Sequence, residues 1–328
     1  MTRIRRILAA VKEPRSTGSA AIAKGIELAR ATGASLELFH GITAAIPAEM
    51  LSHGKRRLAD IEREIRDRHV AALERPVGRL RSRGLRVSAA AEWDFPPHEA
   101  IVRRAIRFKA DLIVAGQHKG WRTLPWLLHL TDWELLRLSP VPVLLVKSRH
   151  AYRRPVVLAA LDPGHAFAKS TRLDAQILRV AGLVADAHGG RLHAMHAYSA
   201  APHVPMHAEV VGAGLLDQAR RMAESEARAS FARELRNTDI PPSRQHLVER
   251  HAADAIPGMA RRLRADVVVM GAVSRSGLRR AFIGNTAERV LDRLACDVLV
   301  VKPPGFRSSV LRARRGVRFV TSAPPGRY

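Results

Sequence analysis

An internal duplication constrains this chain more than any other feature. Residues 110–147, ADLIVAGQHKGWRTLPWLLHLTDWELLRLSPVPVLLVK, align without a gap on residues 265–302, ADVVVMGAVSRSGLRRAFIGNTAERVLDRLACDVLVVK. Asp111 meets Asp266, Gly116 meets Gly271, Thr131 meets Thr286 and Lys147 meets Lys302. The beginnings match as well: ILAAVKEP from Ile7 pairs with VLAALDP from Val157. Each is followed by an alanine-rich amphipathic stretch (residues 20–31 and 171–187), a Gly-Ala or Gly-Gly pair, and an apolar run. The repeat is far too long for a solenoid, so the 328 residues hold two copies of one domain.

Within each half, uninterrupted apolar runs alternate with helical patterns, which predicts parallel strands covered on both faces and joined by right-handed crossovers. The strands are expected at residues 35–39, 86–91 and 143–146 in the first half and 191–196, 245–249, 267–270 and 298–301 in the second. Long helices are expected over residues 51–83 and 215–236. The polar stretch 148–154, ending at Pro155, is the seam, which gives domains at 1–150 and 151–305. Pro303, Pro304 and Gly305 should stop the last strand. Residues 306–328 form a basic tail, expected to be mobile on composition alone.

Between the strand at 267–270 and the helix expected near Thr286 lies a loop carrying Gly271, Ser274, Gly277, Gly284 and Asn285. Such a loop directs backbone N–H groups and a helix N-terminus toward one point, which suits an anion. Glycine serves where the backbone takes positive φ or approaches a ligand closely. Ser274 can donate its hydroxyl and Asn285 its amide, while Arg275, Arg279 and Arg280 can neutralise phosphate charge. The alternative is a tight strand-to-helix connection with solvated arginines.

The two ordered copies, together with GNTAERVLDRLACDVLVVKP and TDWELLRLSPVPVLLVK, resemble the universal stress protein family, in particular its tandem-domain E type, over residues 1–304. The family pattern after the fourth strand is Gly, two residues, Gly, nine residues, Gly, then Ser or Thr. Gly271 and Gly284 keep the outer spacing, Ser274 replaces the middle glycine, and Asn285 stands at the Ser/Thr position. The resemblance implies two Rossmann-like α/β domains of the adenine nucleotide α-hydrolase type. Each would have a parallel sheet of order 3-2-1-4-5 with helices on both faces and a ligand crevice between strands one and four. It implies that Leu161 and Asp162, at the end of strand one, face Gly271, Ser274, Gly277, Gly284, Asn285 and Thr286 across that crevice. The acid would contact the nucleoside and the loop the phosphates. ATP, accompanied by Mg, is the cofactor such a site admits.

The first half departs from this pattern. Lys12 stands where Asp162 stands, Lys119 replaces the middle glycine, and His129-Leu130 replaces Gly284-Asn285. Trp121, Pro125 and Trp126 add bulk, so this half is expected to give structural support. His188, His193, His196, His203 and His207 invite a metal, but His193 and His196 would point to opposite faces of a strand, and no metal site is expected. Trp93-Asp94 and Asp132-Trp133 read as packing pairs, and Cys296, the single cysteine, as a buried, inert thiol.

No Walker A loop, GxSxG elbow, SGGxDS or HIGH/KMSKS motif is present, and no general base is apparent, so no catalytic residue is assigned. The formal net charge of +25 comes mostly from arginines spread along the helices. They read as a solvated surface; the alternative is a nucleic-acid-associated protein. One cysteine and no membrane-length apolar segment point to the cytoplasm. The last strands of the halves, 143–146 and 298–301, are expected sheet edges. Edges invite pairing, so a pseudo-dimer of the halves is expected, with a homodimer as a further association. The function expected is that of a non-catalytic stress-response sensor or protective factor for a nucleotide or other small molecule.

Overall fold

A computed structural model describes residues 3–15, 19–43, 46–47, 58–116, 125–164, 172–199, 213–272, 285–313 and 320–321. The chain divides into two compact units, one of residues 1–151 with 307–328, the other of residues 152–306.

The first unit runs β1 (Arg6–Ala10), α1 (Ala20–Thr32), β2 (Ser35–Ile42), β3 (Ile46–Pro47), α2 (Leu58–Arg81), β4 (Val87–Trp93), α3 (Pro97–Phe108), β5 (Leu112–Gly116), α4 (Pro125–Leu138) and β6 (Val143–Val146). Its parallel sheet has the order β4-β2-β1-β5-β6. Ile7 lies beside Leu36 on one side and Leu112 on the other. Ile7, Leu8 and Ala9 are wholly buried, as a strand covered on both faces requires. Helix α1 buries Ala21, Ile22, Gly25, Leu28 and Ala29 on one stripe. It ends where Gly33 takes a left-handed φ of 67° and donates its N–H to Ala29 O.

The second unit repeats the plan with β7 (Val156–Leu161), α5 (Leu173–Ala187), β8 (Arg191–Tyr198), α6 (Ala213–Leu235), β9 (Gln245–Glu249), α7 (Ala252–Leu263), β10 (Val267–Gly271), α8 (Asn285–Arg293) and β11 (Asp297–Val301). The order is β11-β10-β7-β8-β9, the same topology. Both sheets therefore carry the expected 3-2-1-4-5 arrangement.

The duplication reaches into small features. Asp111 Oδ2 accepts the backbone N–H groups of Arg5 and Arg6 at 2.7 and 3.0 Å, and Asp266 Oδ2 accepts that of Val156 at 2.8 Å. Each carboxylate latches the start of strand four to the start of strand one, which explains why this acid matches in the two copies. Helices α3 and α7 both end on a residue other than glycine in the left-handed region, Lys109 at φ 54° and Arg264 at φ 50°. Each donates its backbone N–H to the last turn of its helix.

The described residues of the tail are tethered. Ser308 Oγ donates to Leu138 O at 2.7 Å, and Leu311 O accepts Arg103 Nη1 at 3.2 Å. Val310 is buried. A final short strand, β12 (Val320–Thr321), pairs in parallel with β3. Composition gave no sign of this because three of the four contacts use main-chain groups, which every residue carries.

Candidate functional site

In the second unit the connections leave β7 and β10 in opposite directions, so the ends of these paired strands bound the crevice. Leu161 closes β7 with its side chain buried. Its carbonyl accepts Nδ1–H of His196, a buried residue on β8, at 3.2 Å. Asp162 follows, and its backbone N–H lies 3.2 Å from both Oδ1 and Oδ2 of Asp174. Asp174 sits in the first turn of α5, where a carboxylate meets unpaired N–H groups. Burial nonetheless pushes its pKa up to about 7, against the pull of the Asp162 N–H and helped by the charges of Asp162 and Glu234. A carboxyl group of raised pKa, Asp174, therefore stands beside Asp162 at the strand end.

Gly271 ends β10 across from this pair, and its lack of a side chain has a packing cause. A Cβ there would stand 2.7 Å from Leu173 Cδ2 and 3.2 Å from Leu173 Cγ. The equivalent Gly116 in the first unit has nothing nearer than Ala21 Cβ at 3.8 Å. Beyond Gly271, Lys302 is buried and donates Nζ–H to Ala272 O at 2.7 Å, with the Phe306 ring 5.0 Å away. A cation thus lies under the start of the loop. Of the other candidates, Ser274, Gly277 and Gly284 lie outside the described residues. Asn285 and Thr286 are the first residues of α8, with side chains likewise outside the described part.

The first unit carries a different constellation at the same end. His40, at the position of His196, donates Nδ1–H to Val11 O at 2.8 Å and stacks on His69 with centroids 4.9 Å apart. Burial lowers the pKa of both imidazoles, and Arg15 lowers His69 further. Lys12 is exposed yet crowded enough that burial lowers its pKa, against the attraction of Asp132. The loop residues Lys119 and Trp121 lie outside the described residues, as do the side chains of Pro125, Trp126, His129 and Leu130.

Several sequence readings meet their structural partners. Trp93 packs against Ile42, Ile61 and Ala91 and donates Nε1–H to Glu62 O at 3.0 Å. Asp94 does more than pack: it receives Arg103 Nε and Nη2 at 2.6 and 2.8 Å in a buried fork, while Glu99 takes Nη1. Among the described residues no three His, Cys, Asp or Glu side chains gather as a metal site requires, and His203 and His207 lie outside them. Cys296 is half-buried rather than buried, because it precedes β11 and only the strand itself enters the core. No described helix is long and apolar enough to cross a membrane.

Sequence reasoning missed His40 and Asp174, and weighed His196 only as a metal ligand. His40 was within reach, since it occupies the position of His196 in the duplicated plan. Asp174 was not, since its environment is made by a different strand end.

Comparison with known proteins agrees with this architecture. The profile described as the universal stress protein family matches residues 3–147 and 158–302, one match in each unit. Universal stress protein E of Salmonella typhi is 30% identical over 237 residues, spanning 69% of this chain and 72% of the relative. That of Escherichia coli (strain K12) is 28% identical over 233 residues, with the same shares. The crystal structure of a functionally unknown protein from Pseudomonas aeruginosa PAO1 superposes with a TM-score of 0.69 at 30% identity, covering 92% of this chain and 93% of that one. With two copies of the domain in order and matches running through both, the chain belongs to the universal stress protein family, as a tandem-domain member similar to universal stress protein E.

Proposed function

We propose that the second unit binds a nucleotide or comparable small ligand without turning it over, so that the protein acts as a stress-response sensor or protective factor. The observation that carries this reading is the carboxyl pair Asp162 and Asp174 at the end of β7, beside the end of β10. Acceptors at a topological switch point suit the hydroxyl and amino groups of a nucleoside. The phosphate end falls to Ser274, Gly277, Gly284, Asn285 and Thr286, with Mg accompanying ATP. The single cysteine suits a reducing cytoplasm. A pseudo-dimer of the halves, and association into a homodimer, belong to the same reading.

The test is mass analysis of small molecules released from purified protein, with ATP titration of wild type, Asp162→Ala and Gly284→Trp. Saturable binding that both substitutions abolish is expected. Wild type that shows no saturation with ATP and releases no small molecule would sink the reading.

A further inference from the structure

The two units treat one face of their sheets in opposite ways. In the first unit, Glu37 on β2 and Glu92 on β4 are both buried beneath α3. Arg104 forks onto Glu37 at 2.7 and 2.6 Å and reaches Glu92 at 2.8 Å, and Arg107 also bonds Glu92. Two carboxylates thus meet two guanidinium groups, and the charge closes within the fold.

The strand registers fix the matching positions in the second unit. Arg6 lies beside Ser35 and Val156 beside Arg191, so Glu37 corresponds to His193. Leu36 lies beside Val87 and Ala194 beside Gln245, so Glu92 corresponds to Val248 and Ser88 to Arg244. The helices end alike at Lys109 and Arg264, so Arg107 corresponds to Arg262 and Arg104 to Met259. Both acids are gone, while one arginine is kept and Arg191 and Arg244 are added. Arg262 donates to Met259 Sδ at 3.1 Å, and among the described residues no ion pair joins Arg191, Arg244 or Arg262 to a carboxylate.

Two imidazoles share this face with the arginines: His193, on β8, stands two residues after Arg191, and His246, on β9, two residues after Arg244. His193 Nδ1 and His246 Nε2 are 3.0 Å apart, with ring planes within 8° and centroids 5.3 Å apart. That nitrogen separation is too short for rings lying one over the other, so the rings join edge to edge through one N–H···N bond. Burial lowers the proton affinity of both, His193 to about 4, where His246, Arg244 and Arg191 add to it; Arg262 acts on His246. The side-chain charges that act on the pair, those of Arg191, Arg244 and Arg262, are all basic.

We propose that Arg191, Arg244 and Arg262, arranged around the His193–His246 pair, form a binding site for a compact multivalent oxyanion, a phosphate or pyrophosphate group. The site lies toward the starts of β8 and β9, the opposite end of the sheet from the crevice at Asp162. Guanidinium forks match the oxygens of such an anion, which supplies the charge that Glu37 and Glu92 supply in the first unit. The bound anion also favours imidazolium, and the histidine pair can accept one proton while keeping its shared hydrogen bond. Binding is therefore accompanied by proton uptake.

Full-length protein is titrated with inorganic pyrophosphate by calorimetry, in two buffers of different ionisation enthalpy, at about pH 6 and about pH 8. One saturable site is expected, tighter at the lower pH, with protons taken up from the buffer. Arg244→Gln with Arg262→Gln should weaken it by about tenfold or more, with the circular dichroism spectrum unchanged. His193→Glu, which restores the carboxylate of the first unit, should abolish it. Gly284→Trp should leave it intact, which separates this site from the nucleotide crevice. Absence of saturation with pyrophosphate, or affinity that survives both the arginine and the His193→Glu changes, overturns the proposal. So does capture of long polyanions such as duplex DNA, with steep salt dependence, by protein that ignores pyrophosphate.

Discussion

Replacing Gly271 with alanine tests whether this glycine is there for packing or for a ligand. The new Cβ would press on Leu173 Cδ2 at 2.7 Å, on Leu173 Cγ at 3.2 Å and on Ile177 Cδ1 at 3.4 Å. Overpacking of this kind costs about 1–3 kcal/mol, while removing a glycine from the unfolded chain returns about 0.4–1 kcal/mol. Gly116→Ala is the internal control, since its Cβ meets nothing nearer than 3.8 Å and only the favourable part remains. The two substitutions should therefore differ by about 2 kcal/mol. In a unit of this size that is a shift of roughly 4–8 °C in the unfolding midpoint. Two units need not unfold together, so the assay is hydrogen exchange followed by mass spectrometry, read on peptides from β10 and β5 separately. Leu173→Ala in the same chain should remove most of the Gly271→Ala penalty, a coupling that a double-mutant cycle measures directly. If Gly271→Ala proves as benign as Gly116→Ala, or if Leu173→Ala brings no relief, the packing explanation is wrong. Loss of ATP binding at unchanged stability would instead mark Gly271 as a ligand-approach glycine.

Three further outcomes are expected. Asp174 has a folded pKa of about 7 against an ordinary aspartate value of about 4, so the folded state holds its proton more tightly than the unfolded chain. Its contribution to the second unit's stability is therefore favourable at low pH and is lost as pH rises from about 4 to about 7, by at most about 4 kcal/mol and less because the group is partly solvated. Asp174→Asn should flatten that slope in pH-dependent urea unfolding, and an unchanged slope would exclude Asp174 as its source. Arg103→Met leaves Asp94 buried and charged, which should cost the first unit about 3–5 kcal/mol in denaturant unfolding, with the second unit unaffected. Lys109→Gly and Arg264→Gly relieve left-handed backbone at two helix ends, and each should raise the thermal midpoint of its own unit by about 1 kcal/mol equivalent.

The fold was legible because it was written twice. A strand of four apolar residues is ambiguous alone, but Ile7 and Val157, or Val114 and Val269, resolve each other when the copies are aligned. Asp162 was legible for a related reason: strand ends in this topology converge, so a charged residue just past an apolar run falls at the crevice. Asp174 was not, since its proton affinity depends on the Asp162 N–H and on burial by neighbouring elements. The face charges were hidden differently. Nothing in SLELFHGI names a partner for a buried Glu37; that partner, Arg104, comes from α3, much later in the chain. His193 read as one of a loose group of histidines, yet its true partner, His246, lies on the next strand. The tail was illegible in principle, because its anchors at Leu138 and Leu311 are carbonyl oxygens.

Ser308 and Leu311 have a consequence for how this protein is made and divided. The first unit takes in residues from both sides of the second, so in chain order the second unit is an insertion within the first. During synthesis residues 152–306 are all available before Ser308 and Leu311 reach their partners, so the later unit in sequence can finish its contacts first. A gene fragment cut at the seam near residue 151 would yield a first unit with Leu138 O and Arg103 Nη1 stripped of these partners, whereas the second unit can be excised as one continuous piece.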